Sequence, residues 1–378
     1  MTLQNNAWIW QQPGWPNFYW QDEVIQPRLH ETWRSLGILL GRVGSLHDRN
    51  DPALTLDTLL QNIVTSSAIE GERLNVASVR SSLARRLGVD NDAGAISARS
   101  EGLAEMLLDA IGQPDYALNR EQLFQWYHWL FPDTGAGTML GPLRVGQWRG
   151  NEPMQVVSGR IDNPRIHFEA PPRDVLDAEM SAFLEWFDAS RHDPALDPIL
   201  RAGIAHFRFV TVHPFEDGNG RLARAIADRA LAQADHQSIR LYAMSAAILA
   251  RRQDYYLTLE ASQRGTLDLS DWLAWFLDTL ISTLQEALAG IDRTLVKARF
   301  WQRYNNQGLA IAQIKVLNRL LDGGERGFEN GISAAQYQKV AKVSKATATR
   351  HLADLLEKGC IEKLPGGGRS TRYRIATS

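Results

Sequence analysis

The sequence predicts a mainly α-helical protein with one short β-hairpin near its middle and a helix-turn-helix carrying a β-wing at its C-terminus. Three observations carry this. Apolar residues recur at helical spacing, as in "DPILRAGIAHFRFVTV", where Leu200, Ile204 and Phe207 share one stripe. Between about 148 and 172 the pattern changes to two β-prone runs around a turn, "QVVSG" and "RIHFEA". From Phe300 onward the chain carries 13 Lys and Arg against 6 Asp and Glu, while the whole protein has a net charge of -2, so its end is a compositionally separate, basic region.

The elements divide into three parts. The first, 1–115, opens on "WIWQQPGWPNFYW", which proline and glycine break into strand or loop. Its tryptophans, Trp8, Trp10, Trp15 and Trp20, read as an aromatic minicore. Helices follow from roughly Asp22 to Leu46 and from Leu54 to Glu70. The second part, 116–292, holds the hairpin. A helix follows it in "APPRDVLDAEMSAFLEWF", with proline near its start, and a further helix resumes in "GRLARAIADRALAQA". In the third part, 300–378, a short helix over Ala334–Ala341 leads through a tight turn into a longer helix ending at Gly359. The strand-like runs "CIEKLP" and "STRYRIA" then flank a triple glycine.

Composition narrows the function classes. The single cysteine, Cys360, excludes internal disulfides and thiolate metal clusters and reads as a small buried apolar residue. The first residues show neither a basic n-region nor a long apolar core, and no apolar run reaches membrane-spanning length. A cytoplasmic protein with no membrane partner is therefore expected.

The chemistry concentrates in "HPFEDGNGRLAR", His213 to Arg224. A histidine at the end of an apolar helix can stand at a cleft wall and accept a proton near neutrality. Asp217 is a hard oxygen ligand of the kind that holds Mg²⁺ on phosphates. Gly218, Asn219 and Gly220 allow left-handed backbone, so that successive N–H groups can converge on an anion at the start of the next helix. Arg221 and Arg224, one turn apart, can grip further phosphate oxygens. Phe215 reads as a core anchor for the loop. No GK[ST] or HExxH motif is present, which excludes a P-loop and a zincin.

This stretch resembles the signature of the Fic family, HPFx[DE]GNGRxxR, at every defined position. The resemblance implies a helical core that binds ATP and Mg²⁺ and transfers AMP to a Ser, Thr or Tyr hydroxyl of a target protein, the chain itself included. By position it makes His213 the base, Asp217 the metal ligand, and Glu216, Asp217, Gly218, Asn219, Gly220, Arg221 and Arg224 the nucleotide-binding set. The hairpin around Val156 and Val157 is similar to the flap that docks a target segment by strand addition. "RRQDYYLTLEASQRG" is similar to the segment closing the nucleotide site, which places Tyr255 and Tyr256 near adenosine and Gln263 on the base. Upstream, "TSSAIEGERL" matches the family's inhibitory pattern [ST]xxxE[GN] at Ser66, Glu70 and Gly71. A carboxylate at a helix C-terminus is unfavourable by about 0.3–1 kcal/mol, so Glu70 calls for a cationic partner. In the family that partner is the second signature arginine, Arg224 here.

Other readings remain open beside the autoinhibited transferase. The same site could remove AMP by hydrolysis, use another phosphate-containing donor, or serve a nucleotide-sensing DNA-binding regulator. In the basic region, Lys345, Thr347, Thr349 and Arg350 lie early on the recognition-helix candidate, with Arg369, Arg372 and Arg374 flanking the wing. Such a unit binds DNA or supports dimerisation, and the architecture suggests a homodimer.

Overall fold

The structure is a computed structural model that describes residues 7–45, 52–89, 94–132, 137–138, 141–160, 163–234, 241–304, 306–323, 328, 330–365 and 371–376. It divides into two compact units, 1–285 and 286–378, with the boundary inside one long helix.

In the first unit an aromatic lead-in with one 3-10 turn (Ile9–Gln11) precedes five helices: α1 (Asp22–Ser45), α2 (Pro52–Ile69), α3 (Val76–Leu87), α4 (Ala98–Gly112) and α5 (Arg120–Leu130). Asn75, Ser97 and Asn119 cap α3, α4 and α5, each side chain accepting a hydrogen bond from the backbone N–H three residues on. Strands β1 (Gly137–Thr138) and β2 (Gly141–Pro142) form a minimal pair that the sequence pattern did not announce. The expected hairpin follows as β3 (Gln155–Arg160) and β4 (Asn163–Glu169), antiparallel with a bulge at Val156/Val157. Then come α6 (Arg173–Ala189), α7 (Pro198–Val212), α8 (Asn219–Ala234), α9 (Met244–Ala250), α10 (Arg252–Gln263) and α11 (Ser270–Tyr304).

Helices α7 and α8 pack on each other most extensively and form the centre of this unit. The expected stripe on α7 understates its burial, because every residue from Ile199 to Val212 is buried. Arg201, buried among them, donates to Ser190 Oγ at 2.9 Å, to Gln233 Oε1 at 2.8 Å and to the Phe187 carbonyl. The lead-in is not a closed minicore, since its tryptophans are half-buried and only Ile9 is fully buried. They brace other elements instead. Trp8 meets Phe168 edge-on at 5.3 Å, and Trp10 Nε1 donates to the Glu169 carbonyl at 2.8 Å, so both lean on β4. Trp15 Nε1 donates to Glu179 on α6 at 3.0 Å.

The second unit adds α12 (Ile311–Asp322), β5 (Ile332–Ser333), α13 (Ala334–Ala341), α14 (Lys345–Glu357), β6 (Ile361–Lys363) and β7 (Arg372–Ile375). Its strands form an antiparallel sheet in the order β5-β7-β6. Val316, Leu317, Ile332, Tyr337, Leu352, Leu355 and Cys360 make its core. Ser333 and Ser344 cap α13 and α14, each side chain accepting from the backbone N–H three residues on. Lys345 and Arg350 are exposed on α14, whereas the Thr347 hydroxyl is engaged with Ser344. Arg372 and Arg374 are held internally, on the Gly331 carbonyl and on Glu362. Arg369 lies outside the described residues. Among the described residues, no helix is long and apolar enough to cross a membrane.

Candidate active site

Helix α7 ends at His213, which takes a left-handed conformation (φ 53°, ψ 59°) where a glycine would ordinarily stand. A non-glycine residue there costs of order 1–3 kcal/mol, a strain typical of functional positions. The imidazole is fixed by Nδ1, 3.0 Å from the Val210 carbonyl. Nδ1 therefore carries the proton and the Nε2 lone pair is left to accept one. Burial, with the nearby Arg149 charge, pulls its pKa down to about 4, so His213 is a neutral base at physiological pH. Arg149 also holds the backbone here, donating from Nε to the His213 carbonyl at 2.9 Å.

The turn after His213 is closed from within. Phe215 is 1% exposed and stacks on Tyr127 with ring centroids 4.3 Å apart, as a core anchor should. Asn219 accepts from the Phe215 N–H at 3.0 Å and donates to its carbonyl at 2.7 Å. Its side chain is thus a brace, and the residue is already helical. Of the three residues expected to supply left-handed backbone, only Gly218 does so, at φ 75°. A Cβ there would lie 2.5 Å from Leu130 Cδ2. Gly220 is crowded for a different reason: a Cβ on it would meet the Glu70 carboxylate that Arg224 holds.

A cavity of about 630 Å³ opens beside this turn. His213, Glu216, Asp217, Gly218, Asn219 and Gly220 line it, together with Val156 and Val157 from β3, Tyr255, Tyr256 and Gln263 from α10, and Glu70. Asp217 is 54% exposed on its side chain, with Oδ1 accepting from the Gly218 N–H at 2.5 Å and lying 3.8 Å from Arg221. Glu216 is drawn toward Arg144, which its carboxylate meets at 3.2 Å. Tyr255 is fully buried and its hydroxyl lies 3.0 Å from Nε2 of His206, so it is chiefly a core residue. Tyr256 donates to Glu70 Oε2 at 3.2 Å, and the Gln263 amide donates to the Thr211 hydroxyl at 3.2 Å. No group of three or more His, Cys, Asp or Glu fit for a metal occurs among the described residues. A single exposed carboxylate still fits Mg²⁺, which keeps several waters and takes its other ligands from phosphates.

The two signature arginines do not line this cavity. Arg224, 3% exposed, donates from Nη2 to Glu70 Oε1 at 2.8 Å and from Nε to the Ser66 hydroxyl at 2.9 Å. A second Nη2 bond reaches the Ser66 carbonyl at 3.0 Å. Burial alone would raise the Glu70 carboxyl, but the charge and hydrogen bond of Arg224 outweigh it and hold the group below its ordinary value. Arg221 donates to Glu72 at 2.6 Å, and Glu72 also receives two bonds from Arg99, at 2.8 and 2.7 Å. Neither Glu72 nor Arg99 was foreseen. The available signal was the turn "EGE": Gly71 takes φ 82°, and the N–H groups of Gly71 and Glu72 return to the Ala68 and Ser67 carbonyls. This glycine reversal of a helix end sends Glu70 to one arginine and Glu72 to the other.

Comparison with known proteins places this geometry. Residues 8–89 match a domain of unknown function (DUF4172), and residues 117–231 match the Fic/DOC family. "Protein adenylyltransferase Fic" of Drosophila virilis is 25% identical over 299 residues, 78% of this chain and 56% of that protein. That of Drosophila melanogaster is 25% identical over 268 residues, 69% of this chain and 49% of its own. The chain thus spans about half the length of these relatives. A solved Fic family protein from Desulfovibrio desulfuricans G20 aligns over 96% of this chain and 99% of its own with a TM-score of 0.55 at 19% identity, a likeness of fold. A Fic domain containing signaling protein from Bacteroides thetaiotaomicron aligns over 68% of this chain and 97% of its own, with a TM-score of 0.50 at 17% identity. The mainly helical fold with its hairpin and the family resemblance are both borne out: the chain carries, at residues 117–231, a domain of the Fic/DOC family.

Proposed function

We propose that the protein transfers AMP from ATP to a hydroxyl of a target protein, and that Glu70 restrains the reaction by holding Arg224. The observation that carries this is a neutral His213, its Nε2 free to accept, on the wall of a cavity shared with Asp217 and the start of α8. In the reaction a target Ser, Thr or Tyr oxygen attacks the α-phosphorus while His213 Nε2 takes its proton. The bond to the β-phosphate breaks and diphosphate leaves. Mg²⁺ held by Asp217 would neutralise charge gathering on the departing phosphates. The N–H groups at the head of α8 face the same anion, and Val156 and Val157, both exposed on the hairpin, offer an edge on which an extended target segment can lie.

Three tasks divide along the chain in this reading. Segment 1–115 carries the restraint, 116–292 the chemistry, and 300–378 a winged helix for DNA or for a second copy. Exposed Lys345 and Arg350 favour the DNA option, which a salt-dependent gel shift of the protein tests. A pure nucleotide sensor needs no general base, and that weighs against the regulator reading.

The deciding experiment incubates wild type, Glu70→Gly and the double variant Glu70→Gly/His213→Ala with α-labelled ATP, beginning with self-modification. Glu70→Gly labels protein, and loss of His213 lowers that labelling by about 10²–10⁴. Equal labelling with and without His213 sinks the catalytic assignment. Release of AMP from pre-labelled protein, strongest with Glu70 intact, would support the hydrolase reading instead.

A further inference from the structure

Away from the HPFx[DE]GNGRxxR stretch, one group of side chains on the cavity wall has the arrangement of a nucleophile with its base. Ser158 stands on β3 opposite Arg165, and His167, two residues further along β4, is its diagonal neighbour on the same face. Ser158 Oγ lies 2.6 Å from His167 Nε2. On the other side of the ring, His167 Nδ1 lies 2.7 Å from Glu260 Oε2 of α10. All three residues line the cavity of about 630 Å³ that also holds His213.

Glu260 sets the direction of this chain of hydrogen bonds. Partial burial alone would raise its carboxyl, but the hydrogen bond from His167 and the charges of Arg165 and Arg264 hold it below its ordinary value. Those two guanidiniums lie 3.5 and 3.6 Å from it. An ionised Glu260 takes the proton-bearing Nδ1, so Nε2 offers its lone pair to the Ser158 hydroxyl. Hydroxyl, imidazole and carboxylate in that order are what turns a serine into a nucleophile. The strand beneath is held as well, because Arg264 donates to the Ile166 carbonyl at 2.7 Å. Among the described residues, the other hydroxyls on this wall are the phenols of Tyr255 and Tyr256. Burial pushes both phenols up, and neither meets a base of this kind: Tyr255 is enclosed beside His206, and Tyr256 donates to Glu70 and to the Ile69 carbonyl.

We propose that Ser158 is a second nucleophile of this cavity and the hydroxyl on which the chain modifies itself, with His167 as its base and Glu260 positioning that base. Ser158 Oγ attacks the α-phosphorus of ATP while its proton passes to His167 Nε2. The bond from the α-phosphorus to its bridging oxygen breaks, and that electron pair leaves with diphosphate. Ser158 then carries AMP as a phosphodiester, and His167, 25% exposed on its side chain, returns the proton to water. The choice of ATP as electrophile rests on the adenylyl-transfer reading, whereas the activation of the hydroxyl does not.

The test offers the full chain two electrophiles. One is a fluorophosphonate, which captures activated serines without any nucleotide, and the other is α-labelled ATP in a Glu70→Gly background. Trypsin releases residues 150–160, in which Ser158 is the only hydroxyl side chain, so mass spectrometry reads the site directly. Both labels are expected on that peptide. Ser158→Ala removes both, and His167→Gln slows both about 10²-fold or more. Glu260→Gln moves the acid limb of fluorophosphonate labelling to lower pH, because the imidazolium loses its counter-charge; a merely loosened hairpin would not move that limb. A chain whose residues 150–160 stay free of fluorophosphonate overturns the proposal, and so does a His167→Gln chain labelled there as fast as wild type. AMP found on other peptides but absent from 150–160 also overturns it, and leaves the transferase standing. Fluorophosphonate on Ser158 with no AMP on any protein keeps the nucleophile and sinks the transferase.

Discussion

Replacing Glu70 in two steps separates its charge from its bulk. Arg224 is 3% and Glu70 29% exposed on the side chain, so their pair lies between two regimes. Exposed pairs are worth about 0–1 kcal/mol and breaking a buried one costs about 3–5. A value of about 2 kcal/mol is reasonable here, because Arg224 keeps its two bonds to Ser66 when Glu70 is gone. If a triphosphate must break this pair to recruit Arg224, Glu70→Gly raises transfer at sub-saturating ATP about thirtyfold, at about 1.4 kcal/mol per tenfold. Glu70→Gln keeps a neutral acceptor and forfeits about 1 kcal/mol, the difference between charged and neutral hydrogen bonds, for a gain of about fivefold. Initial rates of α-label incorporation measure both. If neither variant exceeds wild type by about twofold, Glu70 does not withhold Arg224 from the nucleotide. An active Gly variant beside a silent Gln variant would move the effect from the charge to the carboxyl group standing over Gly220.

Other outcomes follow from the same geometry. With the His213 pKa pulled down to about 4, the acid limb of transfer in a Glu70→Gly background falls well below pH 6.5; a limb at 6.5 contradicts the burial of that imidazole. Stability shows the same groups from the other side. Burial lowers His206 to about 3 and His213 to about 4, so between pH 6.5 and 4 the unfolded chain binds protons that the folded one refuses, and the urea midpoint drops as pH falls through that window. Phe215→Ala removes a 1% exposed ring stacked on Tyr127 and costs about 3–5 kcal/mol in denaturant unfolding; a loss under about 1 kcal/mol would mean that the loop does not depend on this anchor. Gly218→Ala forces a side chain into φ 75° and onto Leu130, so labelling is lost and thermal stability falls.

Much of this was legible in the chain. The helix–turn–helix grammar of the basic region marked α13 and α14, two β-prone runs around a turn marked β3 and β4, and the density of unlike residue types in 213–224 marked the cavity wall. What stayed hidden depended on tertiary neighbours. The all-round burial of α7 comes from the helices packed around it, so periodicity on one helix shows only a stripe. Asn219 looked like a backbone hinge because composition cannot tell a side chain that braces Phe215 from one that merely permits a turn. Tyr255 lines the cavity yet is buried against His206, a double placement that no spacing on one helix reveals. Arg99 and Glu72 escaped because they are 27 residues apart and meet only after Gly71 reverses the end of α2.

That reversal ties two outputs to one moving part. Glu70 and Glu72 flank a single left-handed glycine at the end of one helix, and each grips a different arginine of α8. A rotation or partial unwinding of the last turn of α2 therefore withdraws both carboxylates together, since the two cannot shift independently while the Ser67 carbonyl holds both the Glu70 and Glu72 N–H groups. Any partner that grasps α2 acts on a double-pole switch: it frees two cations at once, and the response to it should be steeper than either ion pair alone would allow.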